Sequence, residues 1–245
     1  MGMQQKPSGW FNAPRTLIIG HRGASTAMTE NCLAAFSLAV QQGADGIETD
    51  VRFSKDGRLV LFHDATLERL SGNPTKICDL TVDELKQEDI GQGQTVALLD
   101  ELFDLLGDET LYNIELKDFG LRDQGLVDRV FEAVSAYGLE SQVLISSFNP
   151  ILVRRARRCF PASIPVALIR GPGVYRYTGW TVNTGVENPH YSLVDEVYMA
   201  DAAAKGRHIF AWTVDDSVEA QRLVDLGVNG IISNEPAHLL EHLAF

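Results

Sequence analysis

Two carboxylates and a histidine stand close together in the segment spanning residues 46–64. Glu48 and Asp50 belong to one β-type run and His63 to the next, and the Asp56-Gly57 dipeptide joins the two runs. Asp-Gly favours a two-residue hairpin turn, because both central residues of such a turn need positive φ. Carboxylates beside an imidazole could bind a metal ion and transfer a proton. The segment therefore predicts part of a catalytic centre.

The turn also predicts which residues of the two runs face each other. If the dipeptide forms the whole loop, Lys55 pairs with Arg58, and counting outward pairs Asp50 with His63. Side chains alternate along a strand, so Glu48 shares a face with Asp50, and directly opposite residues lie side by side. We expect one local piece of chain to bring the imidazole to both carboxylates.

A third carboxylate, Glu115, ends the next strand-like run. Oxygen ligands suit hard cations such as Mg²⁺, Ca²⁺ or Mn²⁺ better than zinc. The alternative is that Glu48, Asp50 and Glu115 are solvated at a rim or paired with Lys117. Burial of an unpaired carboxylate is costly, which favours a cation. Both interpretations stay open at this point, and a bound divalent cation would be Mg²⁺ or Ca²⁺, with Mn²⁺ also compatible.

Basic side chains accompany these acids. His21 and Arg22 end the first strand-like run, and Lys117 ends the run of Glu115. His21 and His63 could act as a general acid and base, because histidine titrates nearest neutral pH, although a lone histidine is often structural. Arg22 and Lys117 are natural contacts for phosphate oxygens, or they neutralise the neighbouring acids. The sequence leaves both choices open.

Aromatic side chains could form the apolar wall of a pocket. Trp212 ends a strand-like run, and Phe148 follows another. A loop carries Tyr175, Tyr177 and Trp180. For Phe148 and the loop aromatics, packing is the alternative interpretation.

Composition excludes several classes of protein. A net charge of −12 argues against nucleic acid and anionic membrane as partners, although a small anionic substrate remains compatible. Three scattered cysteines support neither a disulfide framework nor a zinc site. No run approaches the ~20 apolar residues that span a bilayer, and residues 1–15 lack the apolar region of a secretory signal. We expect a cytoplasmic protein without stable membrane insertion. Its oligomeric state is open.

The elements that position these residues alternate between strand and helix. Helical patterns separate most of eight β-type runs, which lie at about 17–20, 45–50, 110–117, 142–147, 164–168, 181–186, 208–213 and 229–233. With the Asp56-Gly57 hairpin set aside as an excursion after strand two, this alternation predicts a single (β/α)8 TIM barrel over residues 15–245, preceded by a short arm, 1–14. We expect a helix from Thr29, as N-cap, to about Gln42. In such barrels the chemistry lies at the carboxyl ends of the strands, where the acids, His21 and Trp212 fall. The hairpin would bring His63 to the same rim.

With these residues assembled, the chain resembles the glycerophosphodiester phosphodiesterases. The shared motifs, in order, are His21-Arg22-Gly23, Glu30-Asn31, Gly46-Ile-Glu48-Thr-Asp50-Val51, Lys55-Asp-Gly57, Leu61-Phe-His63-Asp64, Glu115-Leu-Lys117, Ser146-Ser-Phe148, Ala211-Trp212-Thr-Val214 and Gly230-Ile-Ile-Ser-Asn234. The resemblance implies a barrel of the phosphatidylinositol-phospholipase-C-like type and a cation held by Glu48, Asp50 and Glu115. It also implies His21 and His63 as the acid/base pair, Arg22 and Lys117 on the phosphate, and Trp212 against the substrate.

The resemblance implies hydrolysis of a glycerophosphodiester to sn-glycerol 3-phosphate and an alcohol. Lysophospholipase-D-like or sphingomyelinase-D-like activity is the alternative, and a non-enzymatic phosphodiester-binding barrel is a third. The chain departs from the family pattern at Thr29 and Cys32, where Pro and Thr are usual, and at Ser233-Asn234, where Thr-Asp is usual. The segment between His63 and Glu115 is short, which predicts a more open pocket.

Overall fold

Parallel strands close into a ring in the computed structural model of this chain, which describes residues 9–118, 124–173, 182 and 184–245. The strands are β1 Leu17–His21, β2 Gly46–Phe53, β3 Leu59–Leu61, β4 Ala97–Leu98, β5 Leu111–Leu116, β6 Val143–Ser147, β7 Val166–Arg170, β8 Val186–Pro189, β9 His208–Ala211 and β10 Gly230–Ser233. The helices are α1 Leu33–Gln41, α2 Glu68–Ser71, α3 Val82–Leu85, α4 Leu99–Leu106, α5 Leu126–Tyr137, α6 Pro150–Cys159, α7 Glu196–Ala204, α8 Ser217–Asp225 and α9 Pro236–His242.

The ring runs β1-β2-β5-β6-β7-β8-β9-β10, and β10 pairs with β1 to close it. All eight neighbouring pairs are parallel, and most successive strands of the ring are joined through a helix. The predicted (β/α)8 barrel is confirmed. Its carboxyl-terminal rim collects the ends of the eight strands, which is where barrel enzymes place their active sites.

Apolar side chains fill the amino-terminal part of the barrel. The cluster contains Leu17, Ile19, Leu111, Leu144, Ala167, Val186, Phe210 and Ile232. Trp10, from the predicted arm, belongs to the same cluster, stacks edge-on against Phe210 and donates its indole N–H to the Gln142 carbonyl. Chemistry is therefore confined to the opposite end. In the described part of the chain, no helix has the length and apolar character that crossing a bilayer requires.

The hairpin after β2 stands outside the ring, as expected, but its predicted register is wrong. Strands β2 and β3 pair Val51 with Leu61 and Phe53 with Leu59, so Phe62, not His63, is opposite Asp50. The loop has three residues, 55–57, because the Ser54 amide donates to the Arg58 carbonyl and these two residues close the turn. Within the loop only Gly57 has positive φ. The Ser54 hydroxyl donates to Asp56 and accepts from the Arg58 amide, which replaces the predicted pair of Lys55 with Arg58.

Two further elements differ from expectation. Helix α1 begins at Leu33 with Cys32 as N-cap, because the Thr29 hydroxyl donates to the Gly91 carbonyl instead. The sixth strand of the ring, β8, covers Val186–Pro189, whereas 181–186 was predicted, and the described residues 182, 184 and 185 are not part of it. Its Glu-Asn-Pro composition resembles a turn, but buried Glu187 is paired with the guanidinium groups of Arg170 and Arg207.

Candidate active site

The three candidate ligands meet on two adjacent strands. Glu48 and Asp50 lie on one face of β2, Glu115 lies on β5, and the parallel register pairs Asp50 with Glu115. All three are buried, and their ligand oxygens lie within 4.8 Å of one another. Strand pairing alone brings these carboxylates together, as the sequence predicted.

Two cations contact this acidic group. Lys117 Nζ lies 2.7 Å from Glu115 Oε1 and 3.1 Å from Asp50 Oδ1, and Arg22 Nε lies 3.2 Å from Asp50 Oδ2. Burial opposes ionisation of Asp50, but Lys117 and Arg22 lower its pKa below the usual range. Burial and the charge of Asp50 raise the pKa of Glu48 well above the usual range, and burial raises that of Glu115 to about 7. The three carboxylates are thus accompanied by two cationic side chains, so the cluster of acids has fewer positive charges than carboxylates.

A divalent cation fits this group. Every donor is a carboxylate oxygen, the ligand type that Mg²⁺, Ca²⁺ and Mn²⁺ prefer. Asp50 Oδ1 and Glu115 Oε1 are buried and share a single ammonium, that of Lys117. Burial of carboxylate charge is costly unless it is fully paired, and a divalent cation would supply the positive charge that the three acids lack.

Asn31 orients Asp50 from the loop before α1. Its Nδ2 donates to Asp50 Oδ2 at 2.8 Å, while its Oδ1 accepts from the Thr49 hydroxyl at 2.8 Å. The residue has a φ of 54°, a left-handed conformation that asparagine tolerates better than most residues. Sequence reasoning gave Asn31 no role, and its only sign was its place in the Glu30-Asn31 motif.

His21, at the end of β1, is held by an amide. Its Nδ1 lies 2.7 Å from Asn234 Oδ1, and Asn234 Nδ2 donates to Asp215 Oδ2 at 2.7 Å, which sets the direction of the amide. Because an amide oxygen can only accept, Nδ1 carries the proton and Nε2 has the lone pair. Burial, with help from Arg22, lowers the pKa of His21 to about 4, so the ring is neutral at neutral pH. A neutral imidazole with a bare Nε2 can accept a proton.

His63 is held by a carboxylate and is less buried than His21. Its Nδ1 lies 2.8 Å from Asp64 Oδ1. The paired segment of β3 ends at Leu61, and the Arg52 guanidinium then binds the carbonyls of Phe62 and His63, so the His63 ring enters the cavity without pairing with Asp50. Burial lowers the pKa of His63, whereas Asp50 and Asp64 act to raise it. The Asp64 carboxylate would stabilise a protonated ring.

Arg22 takes its position from the turn after β1. Its own φ is 55°, and Gly23 follows with a φ of 87° and so close to α1 that a Cβ would lie 2.5 Å from the Ala35 carbonyl carbon. The Arg22 amide donates to Glu48 Oε2 at 3.1 Å, and its Nη1 donates to Glu30 Oε1 at 2.8 Å. Arg22 therefore contacts the acids directly, as does Lys117, and both line the cavity.

A cavity joins these groups at the rim, and its empty space, part of it open to solvent, is about 370 Å³. Its lining contains His21, Arg22, Glu48, His63, Asn113, Glu115, Lys117, Ser146, Phe148, Ile169, Asn188, Trp212 and Ile232. Asn113, Ser146 and Asn188 form part of a polar lining to which sequence reasoning gave no role. Asn113 and Asn188 are neutral side chains on strands and belong to no motif, and Ser146 was noted only as part of the Ser146-Ser-Phe148 motif.

The aromatic wall of the cavity is built from Trp212 and Phe148. Their rings meet edge to face with centroids 5.5 Å apart, and the Trp212 indole N–H donates to the Asn188 carbonyl at 2.8 Å. The Lys117 ammonium lies 5.9 Å from the Phe148 ring centroid. The expected contribution of Tyr175, Tyr177 and Trp180 falls outside the described residues.

Comparisons with known proteins show which family the chain matches. The model of the glycerophosphoryl diester phosphodiesterase family matches residues 21–238. A glycerophosphodiester phosphodiesterase of Caldanaerobacter subterraneus subsp. tengcongensis is 34% identical over 238 residues, which cover 92% of this chain and 97% of the relative.

Solved structures extend the similarity to the whole fold. A glycerophosphodiester phosphodiesterase from Thermotoga maritima is similar with a TM-score of 0.78 and 28% identity, over 94% of this chain and 99% of that one. An Oleispira antarctica phosphodiesterase, solved in complex with the product sn-glycerol-3-phosphate, is similar with a TM-score of 0.79 and 28% identity, over 93% and 96%.

Proposed function

The chain belongs to the glycerophosphoryl diester phosphodiesterase family, and we propose that it hydrolyses a glycerophosphodiester to sn-glycerol 3-phosphate and an alcohol with the help of one divalent cation. It is an enzyme, a phosphoric diester hydrolase. The observation that carries the proposal is the buried triad of carboxylates in the cavity that also receives two histidines. Product bound to the Oleispira antarctica relative supports the same chemistry.

Glu48, Asp50 and Glu115 would hold the cation, Mg²⁺ or Ca²⁺, with Mn²⁺ compatible for the same reason. When bound, the cation would polarise the phosphate and neutralise the charge that develops on it. The protein supplies the remaining positive charge through Arg22 and Lys117, which already contact Asp50. We assign both side chains to the phosphate oxygens of the substrate.

The two histidines would divide the proton transfers according to their partners. His21, neutral and with Nε2 bare, accepts the proton of the attacking oxygen. His63, whose Nδ1 faces the Asp64 carboxylate, donates a proton to the departing alkoxide. The Asp64 carboxylate carries a negative charge that favours a protonated ring, whereas the Asn234 amide is neutral and offers only a hydrogen bond, and this difference supports the assignment.

Trp212 and Phe148 would contact the carbon skeleton of the substrate, since their edge-to-face pair forms the apolar wall of the cavity. The alternative substrates, lysophospholipids and sphingomyelin, need room for a long acyl chain, and no observation favours them. We assign the activity to residues 15–245 and place the enzyme in the cytoplasm, which is consistent with the free cysteines Cys32, Cys78 and Cys159.

One assay tests the substrate. Purified protein is incubated with Mg²⁺ or Ca²⁺ and either glycerophosphocholine or lysophosphatidylcholine, and phosphorus NMR identifies the products. We expect sn-glycerol 3-phosphate and choline from the first diester, with far slower turnover of the second. Faster turnover of the lysophospholipid would indicate a lysophospholipase-D-like activity instead. Turnover of neither diester, nor of other glycerophosphodiesters, would refute the proposed function.

A further inference from the structure

Arg69 lies outside the cavity, in the short helix α2. Its guanidinium nevertheless binds two carboxylates that contact residues lining the cavity. Its Nε donates to Asp64 Oδ2 at 2.5 Å. Its Nη1 and Nη2 donate to the two oxygens of Glu30 at 2.9 and 2.6 Å. A planar guanidinium can serve two carboxylates in this way because its N–H groups point outward in a fixed fork.

Each of these carboxylates also contacts a functional group of the site. Asp64 Oδ1 lies 2.8 Å from His63 Nδ1, and Glu30 Oε1 accepts from Arg22 Nη1 at 2.8 Å. His63 comes from the hairpin and Arg22 from the turn after β1, so different parts of the chain supply them. Arg69 is therefore linked through Asp64 to His63, which is assigned to the leaving alkoxide. It is linked through Glu30 to Arg22, which is assigned to the phosphate.

The two carboxylates need a shared cation to stay where they are. Asp64 and Glu30 both lie within hydrogen-bond distance of one guanidinium, and without it two like charges would remain close together. The pKa of Asp64 is lowered even though burial opposes this, because His63 and Arg69 both donate hydrogen bonds to it. With Arg69 removed, the partly exposed Asp64 would be free to turn toward solvent and release the His63 ring.

We propose that Arg69 is a positioning residue, which holds His63 through Asp64 and Arg22 through Glu30. This inference rests on the proposed function, because it takes the roles of His63 and Arg22 from there. The path through Asp64 affects only departure of the alcohol. The path through Glu30 affects phosphate binding, so its loss should raise KM for any alcohol alike and leave the ratio of the kcat values unchanged.

The test compares two leaving groups on the same variant. Choline leaves as a strongly basic alkoxide that needs a proton, whereas the p-nitrophenyl ester of sn-glycerol 3-phosphate releases a weak base that does not. For Arg69→Met we expect kcat with glycerophosphocholine to fall by about tenfold, a part of the 10²–10⁴-fold that general acid–base catalysis supplies, and kcat with the nitrophenyl ester to fall far less. The ratio of the two rates does not depend on the fraction of folded protein.

Arg58→Met is the matched control. Arg58 is 47% exposed and Arg69 46%, and Arg58 also pairs with a carboxylate, Asp100. Neither Arg58 nor Asp100 lines the cavity. We expect both rates to stay within about twofold of wild type, as for most exposed ion pairs. Arg69→Lys should recover only part of the loss, since an ammonium lacks the fork that serves two carboxylates.

A second readout does not depend on turnover. In wild type and Arg58→Met, the Nδ1 proton of His63 should give a downfield NMR resonance protected by the bond to Asp64, and Arg69→Met should lose it. An equal loss of kcat on both diesters, or an unchanged His63 resonance in Arg69→Met, would overturn the inference. If wild type hydrolysed neither diester, the proposed function would fail, and the resonance would still decide whether Arg69 positions His63.

Discussion

The strand side and the hairpin side of the cavity hold their functional groups by different means. On the strand side, Glu48, Asp50 and Glu115 are buried and are placed by the register of β2 against β5. On the hairpin side, His63 is partly exposed and is placed by a sequence of side-chain hydrogen bonds. Strand pairing fixes the position of a side chain through the backbone. A chain of side-chain hydrogen bonds fixes it only while every residue of that chain is present.

This difference predicts two kinds of failure. A change on the strand side should remove cation binding and with it most of the activity, because the buried charges have no substitute. A change on the hairpin side should leave the cation bound and affect a single proton transfer. The expected losses therefore differ in size and in their dependence on the leaving group.

The largest loss is expected for Glu115→Gln, which keeps the shape of the side chain and removes one charge from the triad. We expect kcat/KM for glycerophosphocholine to fall by about 10³-fold, which corresponds to about 4 kcal/mol, the order of what a metal ion contributes to charge stabilisation. Isothermal titration should show much weaker cation binding. Glu132→Gln, at an exposed glutamate on α5, is the control and should behave like wild type. Activity close to wild type in Glu115→Gln would remove this residue from the ligand set.

His63→Ala should separate the two sides most clearly. We expect kcat to fall by about 10²–10³-fold with glycerophosphocholine, and by about tenfold or less with the p-nitrophenyl ester, because only the first product needs a proton on departure. His21→Ala should slow both diesters to a similar extent, since it acts on the attacking oxygen. Cation affinity measured by titration should stay at the wild-type value in His63→Ala. Equal losses on both diesters in this variant would contradict its assignment as the acid.

A smaller loss is expected at Asn31, which supports the strand side from a loop. Asn31→Gly tolerates the φ of 54° and removes only the side chain that orients Asp50. We expect cation affinity to fall by about 10–100-fold, with activity regained at high cation concentration. Asn31→Ala should add a loss of stability from backbone strain, visible as a lower Tm. Unchanged cation affinity in Asn31→Gly would mean that Asp50 needs no such support.

The smallest effect concerns stability and pH. Burial raises the pKa of Glu115 from 4.5 in the unfolded chain to about 7, so between these values the folded protein binds more protons. The contribution of Glu115 to stability therefore falls as pH rises through this window. A divalent cation competes with that proton, so the increase in Tm that it causes should grow across the same window, by about 2–4 °C for each kcal/mol gained. Calorimetry with and without Ca²⁺ measures this, and a pH-independent increase would contradict it.

The sequence was informative where the fold repeats a simple rule. Alternation of side chains and the parallel alignment of strand ends suffice to place Glu48, Asp50 and Glu115 together, and the structure has them so. The hairpin register was not predictable, because the size of its loop depends on the Ser54 hydroxyl and on a single positive φ at Gly57. His63 reaches the cavity for a different reason from the one that the turn suggested.

Partners distant in sequence could not be predicted either. Asn234 orients His21 across 213 positions because β10 closes the ring against β1. Arg69 contacts Glu30 across 39 positions, from a helix of four residues that leaves little trace in the hydrophobic pattern. Such contacts follow from ring closure and loop packing, and a local pattern of residues predicts neither of these.

The most direct test of a cation-dependent phosphodiesterase is one experiment on the wild-type protein. Glycerophosphocholine is followed by phosphorus NMR with chelator-treated protein, first without added metal and then after Mg²⁺ or Ca²⁺ is returned. We predict that sn-glycerol 3-phosphate forms only after the cation is returned, and that Glu115→Gln does not recover in the same way. Release of the product at an undiminished rate in the presence of chelator would contradict the assignment of the triad.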